Sequence, residues 1–172
     1  MRVFREHMLA GGHDVGGDET VDPTHGRDMR IRTVTIEYPD ADRPYVRNGE
    51  PVTIRIAYDA LRPVDDAVFV FSLHGNDGHI VFGQNTWGLG HGLPVLDGPG
   101  EVAFSIPSVS LLEGSYPLTV GVHRREGGVV FDWREQQSHL DVVNAEGKHA
   151  WGVVDLPVVA DLSRLGTRVR AG

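Results

Sequence analysis

The sequence predicts an all-β fold, a two-sheet antiparallel β-sandwich of the jelly-roll or immunoglobulin-like kind. Three observations predict it. Apolar and polar residues alternate with period two in one segment after another from residue 30 onward, the pattern of strands buried on one side. Gly, Pro, Asn and Asp punctuate these segments at short intervals, as hairpin-built sandwiches require. The body of the chain has no 3.6-residue apolar repeat with which a helix could bury a face.

Taken in order, residues 1–10, MRVFREHMLA, have helix-forming composition with apolar residues at Val3, Phe4, Met8 and Leu9. A helix this short is marginal alone and leans on something larger. GGHDVGGDETVDPTHGRD follows, an acidic, glycine-rich linker by composition. Residues 1–29 are therefore expected to be the end of a preceding domain plus its linker, 30–157 the folded sandwich and 158–172 a tail. The expected strands are RIRTVTIEY (30–38), PVTIRIAYD (51–59), DAVFVFSLHG (66–75), HIVFGQNTW (79–87), GEVAFSI (100–106), YPLTVGVHR (116–124), GVVFDWR (128–134) and SHLDVVN (138–144), with a short ninth, WGVVDL (151–156). In PSVSLLEG (107–114), Pro107 and the leucine pair read as a single helical turn.

Two hairpins allow the faces to be assigned. A turn at Asn76-Asp77-Gly78 with glycine left-handed sets Leu73 opposite Val81, Phe71 opposite Gly83 and Phe69 opposite Asn85 on the core side, followed by Trp87. Val68, Val70, Ser72 and His74 then share the open side with Thr86, Gln84, Phe82 and Ile80. A two-residue turn at Glu126-Gly127 pairs Val122 with Phe131 and Val120 with Trp133, leaving Thr119, Gly121, His123, Asp132 and Arg134 open. A shift by one would set Asp132 against Val122 and bury a charge. Strand 51–59 turns Val52, Ile54, Ile56 and Tyr58 inward and Thr53, Arg55 and Asp59 outward.

The expected open face thus gathers Ser72, His74, Phe82, Gln84, Thr86, Thr119, His123, Asp132 and Arg134, with Trp87 at the rim beside the loop GLGHGLPVLDGPG. Amides, hydroxyls, a carboxylate, a guanidinium and an aromatic are the groups that read a sugar. They also make up an ordinary solvated sheet face.

The totals exclude several other classes. The 172 residues carry a formal charge of −8, and the only basic cluster is the tail at 164–170. Nucleic-acid binding needs clustered cations and is not expected. No apolar run is long enough to cross a bilayer, and residues 1–10 lack the order of a secretory signal. Without cysteine there is neither a disulfide framework nor thiolate chemistry, which fits the cytoplasm and equally fits many exported bacterial domains. Nine histidines show no HxH, HxxxH or HExxH spacing, so no metal is expected and no cofactor is called for. There is neither a GxxxxGK[ST] P-loop nor a GxSxG elbow, and an enzyme is not expected.

The order IRTVTIEYPD, RNGEPVTIRIAYDA, VFVFSLHGNDGHIVFGQNT, VAFSIPSVSLLEGSYPLTVGVHR and VVFDWREQQSHLDVV, over about residues 31–143, resembles one family. It is similar to the C-terminal glycan-binding domain of the ATP-binding subunit of bacterial polysaccharide and O-antigen ABC exporters, the Wzt C-terminal domain. The parts that carry the likeness are Gly49-Glu50, Asp77-Gly78, the run Phe82-Gly83-Gln84-Asn85-Thr86 and the turn from Leu111 to Tyr116. The resemblance implies a non-catalytic domain that recognises the lipid-linked polysaccharide at the cytoplasmic face of the plasma membrane. Its implied partners are an ATPase domain in the same full-length chain, of which REHMLA would be the last helix, and a membrane permease subunit. It also implies a homodimer in which a C-terminal strand, here WGVVDLP, is exchanged. Where the family often places an aromatic after that strand, this chain has Pro157-Val158-Val159. Two other readings stay open: a dimerisation domain without glycan affinity, and a sandwich enzyme acting on saccharides.

Overall fold

The computed structural model describes residues 28–126 and 128–160. The expected helix and linker at the N-terminus and the basic tail lie outside these residues. Eight strands are present: β1 (Met29–Glu37), β2 (Val46–Arg47), β3 (Val52–Val64), β4 (Ala67–His74), β5 (Ile80–Asn85), β6 (Leu96–Ile106), β7 (Gly114–Arg124) and β8 (Val130–Val143). They form a three-stranded sheet in the order β1-β3-β6 and a five-stranded sheet in the order β2-β8-β7-β4-β5. All pairs are antiparallel except the short β2–β8 contact. Among the described residues there is no helix.

The alternation in β3 behaves as expected. Val52, Ile54, Ile56, Tyr58 and Ala60 are buried between the sheets, while the residues between them point outward. On that outer side Arg55 lies between Glu37 (2.6 Å) and Glu101 (2.8 Å), and Thr53 meets Ser105 across the β3–β6 ladder. The opposite sheet supplies Phe69, Phe71, Leu73, Leu118, Val120, Val122, Leu140 and Val142. Aromatic contacts tie the two layers together: the Tyr58 and Phe69 rings are 5.0 Å apart and tilted, those of Phe71 and Phe104 4.9 Å. Such tilted pairs add to the area they remove from water.

Some strands differ from expectation for identifiable reasons. β6 begins at Leu96 and runs through Gly98 and Pro99, because it is an edge strand and a missing N–H on its free side costs no ladder bond. β8 is a single strand where two were expected, and the polar run Glu135-Gln136-Gln137 is a bulge inside it. Residues 107–113 form bends and one bridge, not a helical turn, and Gly114 opens β7. The Tyr116 hydroxyl donates to the Leu112 carbonyl at 2.7 Å and holds that turn in place. The ninth strand is reduced to the bridge between Leu111 and Val154.

Two glycines allow large rings to lie flat on the sheets. A β-carbon at Gly100 would stand 2.4 Å from the Tyr58 hydroxyl, and one at Gly121 2.2 Å from Cε3 of Trp133. Gly121 is in register with Val70 on one side and Trp133 on the other, so the indole covers the outer face of the five-stranded sheet next to Val70. Trp133 was expected to point into the core.

Candidate functional site

Both hairpins lie in the five-stranded sheet, with β4 directly beside β7. Even so, the ten residues expected to share one open face fall into three places.

Ser72, His74, Thr119 and His123 do lie on the outer face, and Ser72 is in register with Thr119. All four are buried: every residue of β4 is covered on both sides. His74 Nδ1 donates to the Gly78 carbonyl at 3.3 Å, and its Nε2 lies 3.1 Å from the Ser72 hydroxyl. Thr119 Oγ1 accepts the N–H of Gln136 at 3.1 Å. His123 Nδ1 donates to the Arg124 carbonyl at 2.8 Å. These side chains close the sheet's own hydrogen bonds, and the expectation that they stand open to a ligand is corrected by their burial. Thr86 is likewise buried. Its Oγ1 accepts the Phe69 N–H (3.2 Å) and its own N–H donates to the Phe69 carbonyl (3.0 Å), extending the β4–β5 ladder by one residue.

Phe82, Gln84 and Trp87 form the second group, along β5 and the turn after it. The hairpin starts in the expected register with His74 opposite Ile80, then slips at Val81, so that Leu73 faces Phe82 and Phe71 faces Gln84. The slip moves Phe82 and Gln84 to the core side of the sheet. β5 is an edge, however, and Phe82 keeps 46% of its surface exposed while its ring stands 5.9 Å from Phe71. Gln84 Oε1 accepts the N–H of Asn85 at 2.9 Å, and Asn85 Oδ1 accepts that of Gly88 at 2.6 Å. Backbone bonds from Leu89 to Asn85, Gly90 to Trp87 and His91 to Thr86 knit this turn. On it Trp87 is 51% exposed, with the Arg125 guanidinium 4.4 Å from its ring centroid. Arg125 is itself held by Asp66 at 3.2 Å, so the indole is mounted on a fixed cation. The sequence did not single out Arg125.

Asp132 and Arg134 form the third group, displaced by one extra residue at Phe131 after the hairpin starts in the expected register with His123 opposite Val130. Val122 faces Asp132 and Val120 faces Arg134, the arrangement that the sequence disfavours for burying a charge. The cost is offset because both side chains reach across to edge strand β1. Asp132 Oδ2 accepts the N–H of Ile31 (2.8 Å), and Arg134 Nη2 donates to the carbonyl of the same residue (2.7 Å). Asp132 Oδ1 accepts the Trp133 N–H at 2.8 Å, and Arg134 Nε stands 3.5 Å from Asp132. Ile31 immediately precedes the β1 bulge, where Arg32 is passed over as β1 pairs with β3. The two side chains therefore fasten one sheet to the other at an irregular edge. Burial raises the pKa of the Tyr38 phenol, partly opposed by the nearby Asp141 backbone.

Opposite the β1 bulge, β8 bulges as well. From Leu118 to Val120 β7 advances two residues, while its partners go from Ser138 back to Arg134, four residues along β8. Gln136 takes φ 51° there, a left-handed conformation costing a residue with a side chain about 1–2 kcal/mol. Among the described residues no group of three or more His, Asp or Glu is placed to hold a metal ion.

Two consequences can be measured. Asp132→Ala leaves the Ile31 N–H without its acceptor and Arg134 without its carboxylate. A loss of about 1–3 kcal/mol is expected, read as a lower urea midpoint, whereas an unchanged midpoint would mean the clasp contributes nothing. His123 is the second case: burial holds its pKa below the ordinary 6.5, partly opposed by its bond to Arg124. The unfolded chain then binds the proton first, so stability falls as the pH drops below 6.5. His123→Gln should flatten that part of the pH dependence, and an identical slope in parent and variant would contradict the burial of the neutral ring.

Comparison with known proteins places this geometry in a family. Among solved structures, the crystal structure of the C-terminal domain of Wzt is similar at a TM-score of 0.68 and 20% identity, over 78% of this chain and 84% of that one. A Pseudomonas fluorescens alkylpurine DNA glycosylase AlkC bound to DNA aligns at 0.42 and 10% identity, over 68% of this chain and 31% of that one, and carries no inference. No curated protein sequence matches significantly. The model of the Wzt C-terminal domain matches residues 25–156, and the chain therefore belongs to the Wzt C-terminal domain family.

Proposed function

We propose that this domain is the non-catalytic glycan-recognition part of an ABC exporter's ATP-binding subunit, acting on a lipid-linked surface polysaccharide such as an O-antigen. The observation that carries the reading is the family match over residues 25–156. ATP hydrolysis would belong to a domain elsewhere in the full-length chain, and transport to a permease subunit, with this domain on the cytoplasmic side of the plasma membrane. Among the described residues no helix is long and apolar enough to cross a membrane.

The geometry supports contact with sugar at the sheet edge and not on the sheet face. Half-exposed Phe82 and Trp87 offer aromatic surfaces to the apolar side of a pyranose, and the amides of Gln84 and Asn85 lie along the strand between them. Ser72, His74, Thr86, Thr119 and His123 support this edge from within. Each contact is worth about 1 kcal/mol, so a single repeat unit binds weakly and two sites on one polymer bind by avidity.

The C-terminal segment favours the second element of the proposal, a homodimer with an exchanged strand. Trp151, Val153, Val154, Leu156, Val158 and Val159 are all exposed, Trp151 by 93%. The segment is fastened by the Leu112 N–H to the Val153 carbonyl, the Asp155 N–H to the Ser110 carbonyl, both 2.9 Å, and an ion pair between Lys148 and Asp155. An apolar strand that is barely paired needs a partner's surface.

Titrating the chain with the host's purified export polysaccharide should show saturable binding, weakened several-fold by Trp87→Ala and by Phe82→Ala. Absence of binding at millimolar repeat-unit concentration would sink the glycan reading and leave dimerisation as the domain's task. Light scattering should find the full chain dimeric and a chain ending before Trp151 monomeric, and equal masses would refute the exchange.

A further inference from the structure

The seam between β1 and β8 holds a cavity of about 130 Å³. An engineered enclosed cavity of about 150 Å³ takes up benzene, so this groove, open to solvent, receives at most one ring with its substituents at the mouth. Leu118 and Val120, both buried in the core, lie at its base, and Arg32, Thr33, Arg134, Gln137 and Ser138 surround it. The cavity opens where the two bulges oppose each other, Arg32 on β1 and the Gln136 region on β8. Bulges of this kind recur beside functional sites, and an observed backbone outlier such as Gln136 is a pointer to one.

The charges decide what would fit. Among the described residues the lining includes two arginines and no Asp or Glu, in a chain of net charge −8. Each guanidinium has five N–H donors and spends only some of them on its neighbours, Arg134 also holding the Ile31 carbonyl through Nη2. Asp59 is already gripped by Arg30 through Nε and Nη2, at 3.1 and 3.0 Å, and Arg32 stands at 3.5 Å from the same carboxylate. Asp132 has given its oxygens to two backbone N–H groups, with Arg134 Nε again at 3.5 Å.

We infer that this seam is a second sugar site, selective for one carboxylate-bearing pyranose, a hexuronate, within the bound polymer. The inference rests on the glycan-binding reading above. The ring sits in the mouth of the groove above these buried side chains, its hydroxyls meeting Thr33, Gln137 and Ser138 and its carboxylate meeting Arg32 and Arg134 by charge-assisted hydrogen bonds.

The test is an NMR titration of the full chain with methyl glucuronide and, separately, methyl glucoside. Saturable shifts at residues 31–34 and 134–138 are expected with the glucuronide, at an affinity about tenfold above that of the glucoside. Arg32→Gln, at an exposed position, should bring the two affinities together while the shifts stay in place. Equal affinities in the unaltered chain would overturn the inference. So would glucuronide shifts confined to Phe82, Gln84 and Trp87, which would leave the glycan reading standing. A chain that binds the host polymer but answers to neither glycoside would also overturn the seam site alone.

Discussion

The structure depends on how one irregular strand is fastened. β1 is an edge of the smaller sheet, and its pairing with β3 is broken by the bulge at Arg32. An edge of this kind leaves backbone groups that must find partners. Asp132 and Arg134 supply them by gripping the two backbone groups of Ile31 from the opposite sheet. Two charged residues consequently sit opposite the core valines Val120 and Val122. That placement is tolerable because the acceptors and donors are matched one for one. Once the grip is made, β8 is held to β1, and the two bulges face each other across the seam instead of closing it.

The same arrangement explains why recognition belongs to edges. β4 is an interior strand buried on both faces, with Trp133 lying on Gly121 beside Val70. Ser72, His74, Thr119 and His123 are spent on internal hydrogen bonds, so little of the broad sheet face is available to a ligand. The accessible chemistry is at the free margin of β5, where Phe82 and Trp87 are half exposed, and at the β1–β8 seam. A long polymer can touch separated margins of one domain. Weak contacts at each are enough when the polymer repeats.

Much of the fold was legible in the residues. The alternation of β3, the aromatic core of β4 and the glycine of the Asn76-Asp77-Gly78 turn, at φ 82°, follow directly from local rules, and the ordered motifs identified the family. Strand register was not legible beyond the first pair of the hairpin. A single extra residue at Val81 exchanges the faces of Phe82 and Gln84 with those of Gly83 and Asn85. The β7–β8 hairpin likewise begins in the expected register, with His123 opposite Val130, and one extra residue at Phe131 then shifts Asp132 and Arg134 inward. The rule against burying Asp132 failed because its partner, the Ile31 backbone, lies a hundred residues away in sequence and no local pattern announces it. One signal was visible: the polar run Glu135-Gln136-Gln137, which interrupted the expected strand, marks the β8 bulge.

The most direct measurement is a hydrogen-exchange footprint of the full chain with and without the host's export polysaccharide. Protection confined to the β5 margin with its following turn and to the facing segments of β1 and β8 is the predicted result. Protection centred on β4 and β7, with the margins unchanged, would contradict it and return the binding surface to the sheet face.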